Sequence, residues 1–284
     1  MNDPPRPGLT SSARVLALQG NNQTEIADDL ATEEPLEIRL AAGAFTKSVA
    51  VTMRTPGNDF ELAAGFLLSE GVVHSREEIA AISYCIDPEI DLEQRYNIVN
   101  VALAGEALPA LDRLERHFTM TSACGVCGKA TIDALQTRAA RIEDPLRVDL
   151  RFLGTLPEKM REAQRVFAST GGLHAAALFD AGGTLLALRE DVGRHNALDK
   201  IVGWALMQDR IPLRGCVLLV SGRASFELVQ KSIVAGIPIL CAVSAPSSLA
   251  VQLADSFGIT LAGFVRGERA NVYSGRERIA RSKS

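Results

Sequence analysis

The fold class is indicated most clearly by the segment Val217-Leu218-Leu219-Val220-Ser221-Gly222-Arg223. It is the first of three similar segments in the C-terminal part of the chain. In each segment an apolar run without polar alternation ends in small or charged residues, and the pattern recurs from Ile237 to Val243 and from Ile259 to Val265. The residues between these runs, Phe226 to Ala235 and Leu249 to Phe257, show helical spacing. The whole segment therefore predicts a βαβαβ unit.

Apolar strands joined by helices are typical of a parallel sheet that is covered on both faces. In such sheets, ligands bind beyond the carboxyl ends of the strands, where loops meet helix N-termini. Ser221, Arg223 and Arg266 follow the predicted strands and carry hydrogen-bond donors suited to phosphate. The sequence contains neither G-x-G-x-x-G nor a Walker motif, so we predict neither of these nucleotide-binding loops.

The rest of the chain predicts an α/β protein of two domains. Alternation of apolar and polar residues between Glu34 and Arg54 indicates a hairpin, and helical spacing follows from Asp59. The C-terminal domain is expected to contain a largely parallel sheet. The predicted divisions are a flexible N-terminal arm (1–33), a smaller N-terminal α+β domain (34–120), a cysteine-bearing loop (121–145) and the C-terminal domain (146–284).

Composition and charge exclude several classes of protein. Hydrophobic residues make up 47% and charged residues 23%, a balance typical of globular proteins. The formal net charge of −4 disfavours general nucleic-acid binding, which needs a basic excess. The sequence shows no uncharged apolar run long enough for a membrane span and no secretory pattern at its start. We therefore expect a cytoplasmic protein that binds neither nucleic acid nor membrane.

The cysteines fall into two groups. Three lie in apolar surroundings and are expected in the core: Cys85, Cys216 and Cys241. The other two, Cys124 and Cys127, lie three residues apart, with a glycine after each and Lys129 close behind. Glycine gives the backbone freedom, and a nearby lysine favours the nucleophilic thiolate. This composition predicts an exposed loop with reactive thiols.

A C-x-x-C pair is compatible with three chemistries. A structural zinc site needs four ligands, and only His117 and His174 together could complete one, since no second cysteine pair is present. A thioredoxin-like dithiol is the second possibility, although the usual βαβ context of that motif is missing. The third is sulfur carriage, in which a thiolate on a mobile loop accepts sulfur as a persulfide. The spacing alone leaves all three open.

Several segments together resemble the formate dehydrogenase accessory sulfurtransferases, also described as formate dehydrogenase sulfur-carrier proteins. The resemblance covers residues 34–274 or thereabouts. It depends on these segments: Thr55 to Asp59 with Glu61 to Phe66, Cys124 to Gly128, Thr170 to His174, Glu190 to Lys200, Ser221 to Arg223, and Phe264 to Arg269. So many matches in the same order make a chance similarity improbable.

The resemblance implies a specific function. Members of this family take sulfur from a cysteine desulfurase and pass it to the molybdenum or tungsten bis(guanine dinucleotide) pterin cofactor, before that cofactor enters formate dehydrogenase. Cys124 matches the usual persulfide carrier, and Cys127 is its partner in the motif. The resemblance also implies a cytidine-deaminase-like C-terminal domain and, by analogy, a homodimer. His174-Ala175-Ala176 lacks the acid of the deaminase signature, so neither deamination nor a resident metal is expected.

The family's cofactor-binding segment corresponds to Phe264, Val265, Arg266, Gly267, Glu268 and Arg269. Ser221 and Arg223 are added because they directly follow another predicted strand of the same sheet. A guanylated cofactor carries several negative charges, so an acidic protein needs local donors to hold it. For His174 and His195, a structural role is as consistent with the sequence as a ligand contact. Two other functions stay open: a cofactor-binding chaperone without sulfur transfer, and a dithiol oxidoreductase.

Overall fold

The computed structural model describes residues 6–87, 89–109, 111 and 139–280. Its first half contains strands β1 (Thr10–Gln19), β2 (Asn22–Ala31), β3 (Glu34–Ala42) and β4 (Phe45–Arg54), helix α1 (Asp59–Ser69), strand β5 (Ile79–Tyr84), helix α2 (Leu92–Arg95) and strand β6 (Ile98–Leu103).

The second half begins with β7 (Val148–Asp149), α3 (Leu150–Ala163), α4 (Arg165–Thr170), β8 (His174–Phe179), β9 (Leu185–Asp191) and α5 (Arg194–Met207). It continues with β10 (Val217–Val220), α6 (Phe226–Val234), β11 (Ile239–Ala242), α7 (Ser248–Phe257), β12 (Thr260–Arg266), β13 (Arg269–Ser274) and β14 (Ile279–Ala280).

The larger sheet has six strands in the order β13-β12-β11-β10-β8-β9. Strands β10, β11 and β12 are parallel and are joined by α6 and α7, which confirms the predicted βαβαβ unit. The outer strands β13, β8 and β9 pair antiparallel with their neighbours. The parallel part is therefore the centre of a mixed sheet, and the carboxyl ends of its three strands meet at one edge.

The smaller sheet has the strand order β4-β3-β6-β5 and contains the predicted hairpin of β3 and β4. One apolar cluster includes Leu36 and Leu62 from this unit together with Leu198 and Leu218 from the second unit. A separate cluster, which includes Leu156, lies between α3 and the opposite face of the large sheet. The α/β class is confirmed, and the two units share a core. The predicted domain boundaries stay predictions.

The first thirty residues contain regular structure that the sequence did not predict. Strands β1 and β2 pair along their whole length as an antiparallel hairpin. The hairpin contacts the rest of the protein near its base, where Ala31 approaches Gly172. Its large apolar side chains stay exposed, with Leu16 at 56% and Leu18 at 67%. A strand exposed on both faces has no apolar alternation, and for this reason the sequence pattern indicated only an arm.

Helices α1 and α5 cross at two glycines. A β-carbon on Gly65 would collide with the carbonyl oxygen of Asp199, and one on Gly203 would collide with the carbonyl oxygen of Glu61. Only the absence of a side chain allows the two backbones to approach so closely. This crossing packs the first unit against the second.

We expect Gly65→Ala to lower the free energy of unfolding by about 1–3 kcal/mol, because the added methyl group forces the two helices apart. Gly105→Ala is the matched control, since a β-carbon there meets no atom within 4 Å. Urea unfolding followed by circular dichroism measures both variants. Equal stability of the two variants would contradict the close crossing.

Candidate functional site

Three strand ends are joined by backbone hydrogen bonds at one edge of the large sheet. Beyond β11, the Ser244 amide donates to the Gly222 carbonyl at 3.4 Å, and the Phe264 amide donates to the Ser244 carbonyl at 3.2 Å. Gly222 lies in the loop after β10, and Phe264 lies near the end of β12. The structure thus brings together the two predicted groups, Ser221 with Arg223 after β10 and the Phe264–Arg269 segment at the end of β12, with the end of β11 between them.

The Phe264–Arg269 segment covers the end of β12, the turn at Gly267 and Glu268, and the first residue of β13. Phe264 adopts a left-handed backbone with φ of 54° and exposes 38% of its surface. A bulky residue in this conformation is strained. Strained backbone of this kind is found most often at active sites and ligand-binding sites. Val265 is fully buried, so its side chain belongs to the core. The remaining members of the segment are exposed: Arg266, Gly267, Glu268 and Arg269.

A cleft of about 440 Å³ opens beside these strand ends. Its polar lining comes from Arg161, Gln164, His174 and Ser221, and its walls include Met160, Phe167, Leu173 and Val243. The volume lies within the usual range of small-molecule sites. No aspartate or glutamate is among the described residues that line it, so the cleft suits a neutral or anionic ligand.

Helix α3 connects the turn with the cleft. Gly154 of α3 packs directly against the carbonyl group of Gly267 in the turn. Two turns further along the helix, Arg161 lines the cleft. With a rise of 1.5 Å per residue, the two positions are roughly 10 Å apart along the helix axis. A ligand longer than this distance can contact the turn and the cleft together.

Two groups fix the inner end of the cleft. The Ser221 hydroxyl accepts a hydrogen bond from the Ala175 amide at 2.9 Å, which holds the loop against β8. The His174 ring lies next to Gly222, and burial lowers the pKa of His174, with further lowering from the Arg194 and His195 charges. His174 is therefore neutral at pH 7 and acts as a hydrogen-bonding group.

His195 faces a different set of partners at the start of α5. Its Nε2 lies 3.4 Å from the Ser225 hydroxyl and 3.8 Å from Oε2 of Glu227. The interaction with His195 lowers the pKa of Glu227 from 4.5 to about 2, against the opposing effect of burial. Glu227 carries no signal in the sequence, because nothing in the local pattern indicates that α6 starts beside His195.

Other residues of the segment from Glu190 to Lys200 serve the fold. Lys200 is 1% exposed, and its Nζ lies 2.7 Å from Oδ2 of Asp191 and donates to the Thr55 carbonyl at 2.9 Å. The Asn196 amide donates to the Met53 carbonyl at 2.7 Å and to Oδ1 of Asp191 at 3.0 Å. These contacts tie the end of β4 to the start of α5. We call Thr55, Asp191, Asn196 and Lys200 the inter-unit clamp.

Two predicted residues, Cys124 and Cys127, lie outside the described residues. Sulfur carriage, a zinc site and a dithiol all depend on this pair, so each stays a prediction. The structure confirms the other prediction about the cysteines, because Cys85, Cys216 and Cys241 are buried and free. Burial raises the pKa of Cys241 to about 12, which keeps its thiol protonated and unreactive.

Gln164 is a second residue that the sequence did not single out. It is 4% exposed, lies between α3 and α4, and lines the cleft. Its neighbour Arg161 stacks over the Phe167 ring at 5.3 Å. A glutamine at the junction of two helices gives no signal in a sequence, since its importance depends on the cavity that it faces.

The chain is similar to proteins of one family over nearly its whole length. The sequence model of the FdhD/NarQ family matches residues 31–280. Proteins named "Sulfur carrier protein FdhD" from Mycolicibacterium paratuberculosis and Streptomyces avermitilis are each 53% identical to it, over 95% and 96% of this chain and 99% and 96% of theirs.

A crystal structure of a formate dehydrogenase accessory protein from Desulfotalea psychrophila has a similar fold. It superposes with a TM-score of 0.74 at 25% identity, covering 96% of this chain and 100% of that one. Within the described ranges, none of the helices combines the length and apolar character that a bilayer crossing requires.

We expect Lys200→Met to lower the free energy of unfolding by about 3–5 kcal/mol at pH 7, because it leaves the Asp191 carboxylate buried without its cation. Lys159→Met is the matched control, since Lys159 is exposed and its ammonium group donates to a single carbonyl, that of Gly183. Chemical denaturation gives both values. A loss no greater in Lys200→Met than in the control would show that the clamp is not required for stability.

We expect His195→Ala to raise the pKa of Glu227 from about 2 toward 4.5, because the main group that lowers it is removed. In the wild type, the stabilising contribution of the Glu227 carboxylate is present above about pH 4.5 and is lost as the pH falls toward 2. A carbon-detected NMR titration of the Glu227 carboxyl group measures the pKa. His74→Ala, which alters a distant histidine, should leave it unchanged, and an unchanged value in His195→Ala would refute the assignment.

Proposed function

The chain belongs to the FdhD/NarQ family, and on this premise we propose that it is a sulfur carrier that supports the maturation of formate dehydrogenase. The observation that carries the proposal is the 53% identity, over 95% of this chain and 99% of the relative, to a protein named "Sulfur carrier protein FdhD". The similarity includes both the strand-end surface and the sequence around Cys124 and Cys127, since it spans nearly all of the chain.

In the proposed loading step, Cys124 accepts sulfur from a cysteine desulfurase that carries a persulfide. The Cys124 thiolate attacks the terminal sulfur of the donor, a new S–S bond forms, and the donor cysteine leaves as a thiolate. No net oxidation occurs, because one sulfur–sulfur bond replaces another. The buried thiols of Cys216 and Cys241 are unsuited to this step, since burial raises the pKa of each.

The proposed acceptor of the sulfur is the molybdenum or tungsten bis(guanine dinucleotide) pterin cofactor. Support comes from the strand-end surface, where Arg223, Arg266 and Arg269 are all exposed. Each guanidinium group can form paired hydrogen bonds with phosphate oxygens. The cleft lies on the same edge and, among its described lining residues, contains no carboxylate that would repel the ligand. These residues fit an anionic cofactor with long nucleotide arms, which the protein would bind and orient.

The proposal also includes that the protein is located in the cytoplasm and forms a homodimer. The exposed apolar side chains of hairpin β1–β2 support a contact between copies, because a group of such side chains on one element is typical of an interaction surface. These side chains are Leu16, Leu18, Ile26 and Leu30.

We expect incubation with a cysteine desulfurase and cysteine to add the mass of one sulfur atom to the chain. Mass spectrometry of the intact protein and its peptides should locate this sulfur on Cys124 and show its loss in Cys124→Ser. Cys216→Ser is the matched control and should still be loaded, since Cys216 is buried. Absence of the adduct from both Cys124 and Cys127 would remove the sulfur-carrier proposal.

Complementation separates the proposal from the two alternatives. A chaperone without sulfur transfer predicts that the double variant Cys124→Ala and Cys127→Ala restores formate dehydrogenase activity. A dithiol oxidoreductase predicts that either single variant is inactive. The sulfur carrier predicts an inactive double variant and a loss that follows the loading of Cys124.

We expect the double variant Arg266→Ala and Arg269→Ala to bind guanosine diphosphate roughly 10- to 100-fold more weakly, because charge-assisted hydrogen bonds to phosphate are lost. The double variant Arg210→Ala and Arg214→Ala is the charge-matched control, because both arginines are exposed and lie between α5 and β10, at the opposite edge of the sheet. Isothermal titration calorimetry at fixed salt measures both. Equal affinities in the two variants would place the phosphates elsewhere.

A further inference from the structure

Gln164 has an unusual position for a polar side chain. The residue is 4% exposed, and its backbone amide donates to the Met160 carbonyl at 3.1 Å. Its side-chain amide makes no hydrogen bond within the described part of the chain, whereas the described polar atoms that are fully enclosed all have partners. The side-chain amide atoms of Gln164 are therefore accessible from the cleft that the residue lines.

Several polar groups near Gln164 are already paired. Just beyond it, the amides of Val166 and Phe167 donate to the Glu190 carboxylate, at 3.1 and 2.7 Å. Across the cleft, Ser221 is held by the Ala175 amide. The Gln164 side-chain amide, by contrast, has only the solvent of the cleft as a partner, and a ligand that displaces this solvent has to replace its hydrogen bonds. A ligand with one donor and one acceptor can form hydrogen bonds with both the oxygen and the nitrogen of the Gln164 amide.

The surroundings define the ligand's chemistry. Apolar walls from Met160, Leu173 and Val243 suit a flat ring, and Arg161 extends over the Phe167 ring at the rim. A glutamine amide presents one acceptor and two donors. It thus matches a ring edge on which a carbonyl group stands next to an N–H group.

We propose that Gln164 is the residue that recognises the 2-amino-4-oxo-pyrimidine edge of the cofactor, with its oxygen accepting from the ring N–H and its nitrogen donating to the ring carbonyl. This inference rests on the proposed function for the identity of the client. Guanine and pterin both carry this edge, and either part of the cofactor can supply it to the cleft. Gln164 is then a specificity residue and has no part in the sulfur chemistry.

The test uses the full-length protein with two probes, guanosine diphosphate and pterin-6-carboxylate. Isothermal titration calorimetry shows which probe the wild type binds, and so which part of the cofactor the cleft takes. Gln164→Met should weaken binding of that probe by at least about tenfold, equal to about 1.4 kcal/mol, because the side chain keeps its size and loses both hydrogen bonds. Gln164→Glu should retain more of the affinity, because a carboxylate can accept from both the ring N–H and the 2-amino group.

Two readouts distinguish recognition from a structural role. If Gln164 serves only the ligand, the melting temperature of Gln164→Met equals or exceeds that of the wild type, because the substitution removes no hydrogen bond within the described part of the protein. Gln252→Met is the matched control, since Gln252 is exposed on α7 and lies outside the cleft lining. A lowered melting temperature with unchanged binding would overturn the inference in favour of a structural role.

The outcomes also separate this inference from the proposed function. If the wild type binds a probe and Gln164→Met binds it equally well, the inference is wrong and the sulfur carrier stands. If neither probe binds the wild type, the cleft does not take this edge and the inference is again wrong. The proposed function is judged independently, by sulfur loading of Cys124 and by complementation.

Discussion

The buried contact between Lys200 and Asp191 holds the two units of the protein together where β4 ends and α5 begins. Both side chains are almost completely excluded from solvent, at 1% and 0% exposure. Charges in such a place are tolerated only when each has partners in the correct geometry. The Thr55 carbonyl and the Asn196 amide supply those partners, and Thr55 follows β4 of the other unit. The electrostatic requirement of one ion pair therefore fixes how the two sheets meet.

This clamp positions the edge where the candidate site lies. It holds the start of α5 in place, and there His195 meets Ser225 at the start of α6. The loops after β10, β11 and β12 are in turn connected through Gly222, Ser244 and Phe264. Rigid strand ends with exposed arginines suit the binding of a large anionic ligand, because the scaffold sets the spacing of the donors before the ligand arrives. Fold and proposed function thus share the same contacts.

Much of the fold was predictable because its signals are local. The βαβαβ segment was predicted within a few residues, since the strands are continuously apolar and the helices follow at once. The hairpin of β1 and β2 was not, because a strand with two exposed faces has no alternation. In the candidate site, Ser221, Arg223 and Arg266 could be selected from their positions at strand ends, whereas the rest of the Phe264–Arg269 segment followed from the resemblance to the family. Gln164 and Glu227 could not, because nothing near them in the sequence marks them.

The sequence by itself determined which segments form strands and helices, where the parallel strands end, and that an acidic chain must rely on a few local arginines to hold an anion. Only the tertiary structure decided that Lys200 and Asn196 serve the fold, and that Gln164 faces a cleft without a partner. The physical reason is that burial and hydrogen-bond partners depend on residues far apart in the chain. Lys200 and the Thr55 carbonyl that it contacts are 145 positions apart. A local sequence pattern does not show a contact between residues so far apart in the chain.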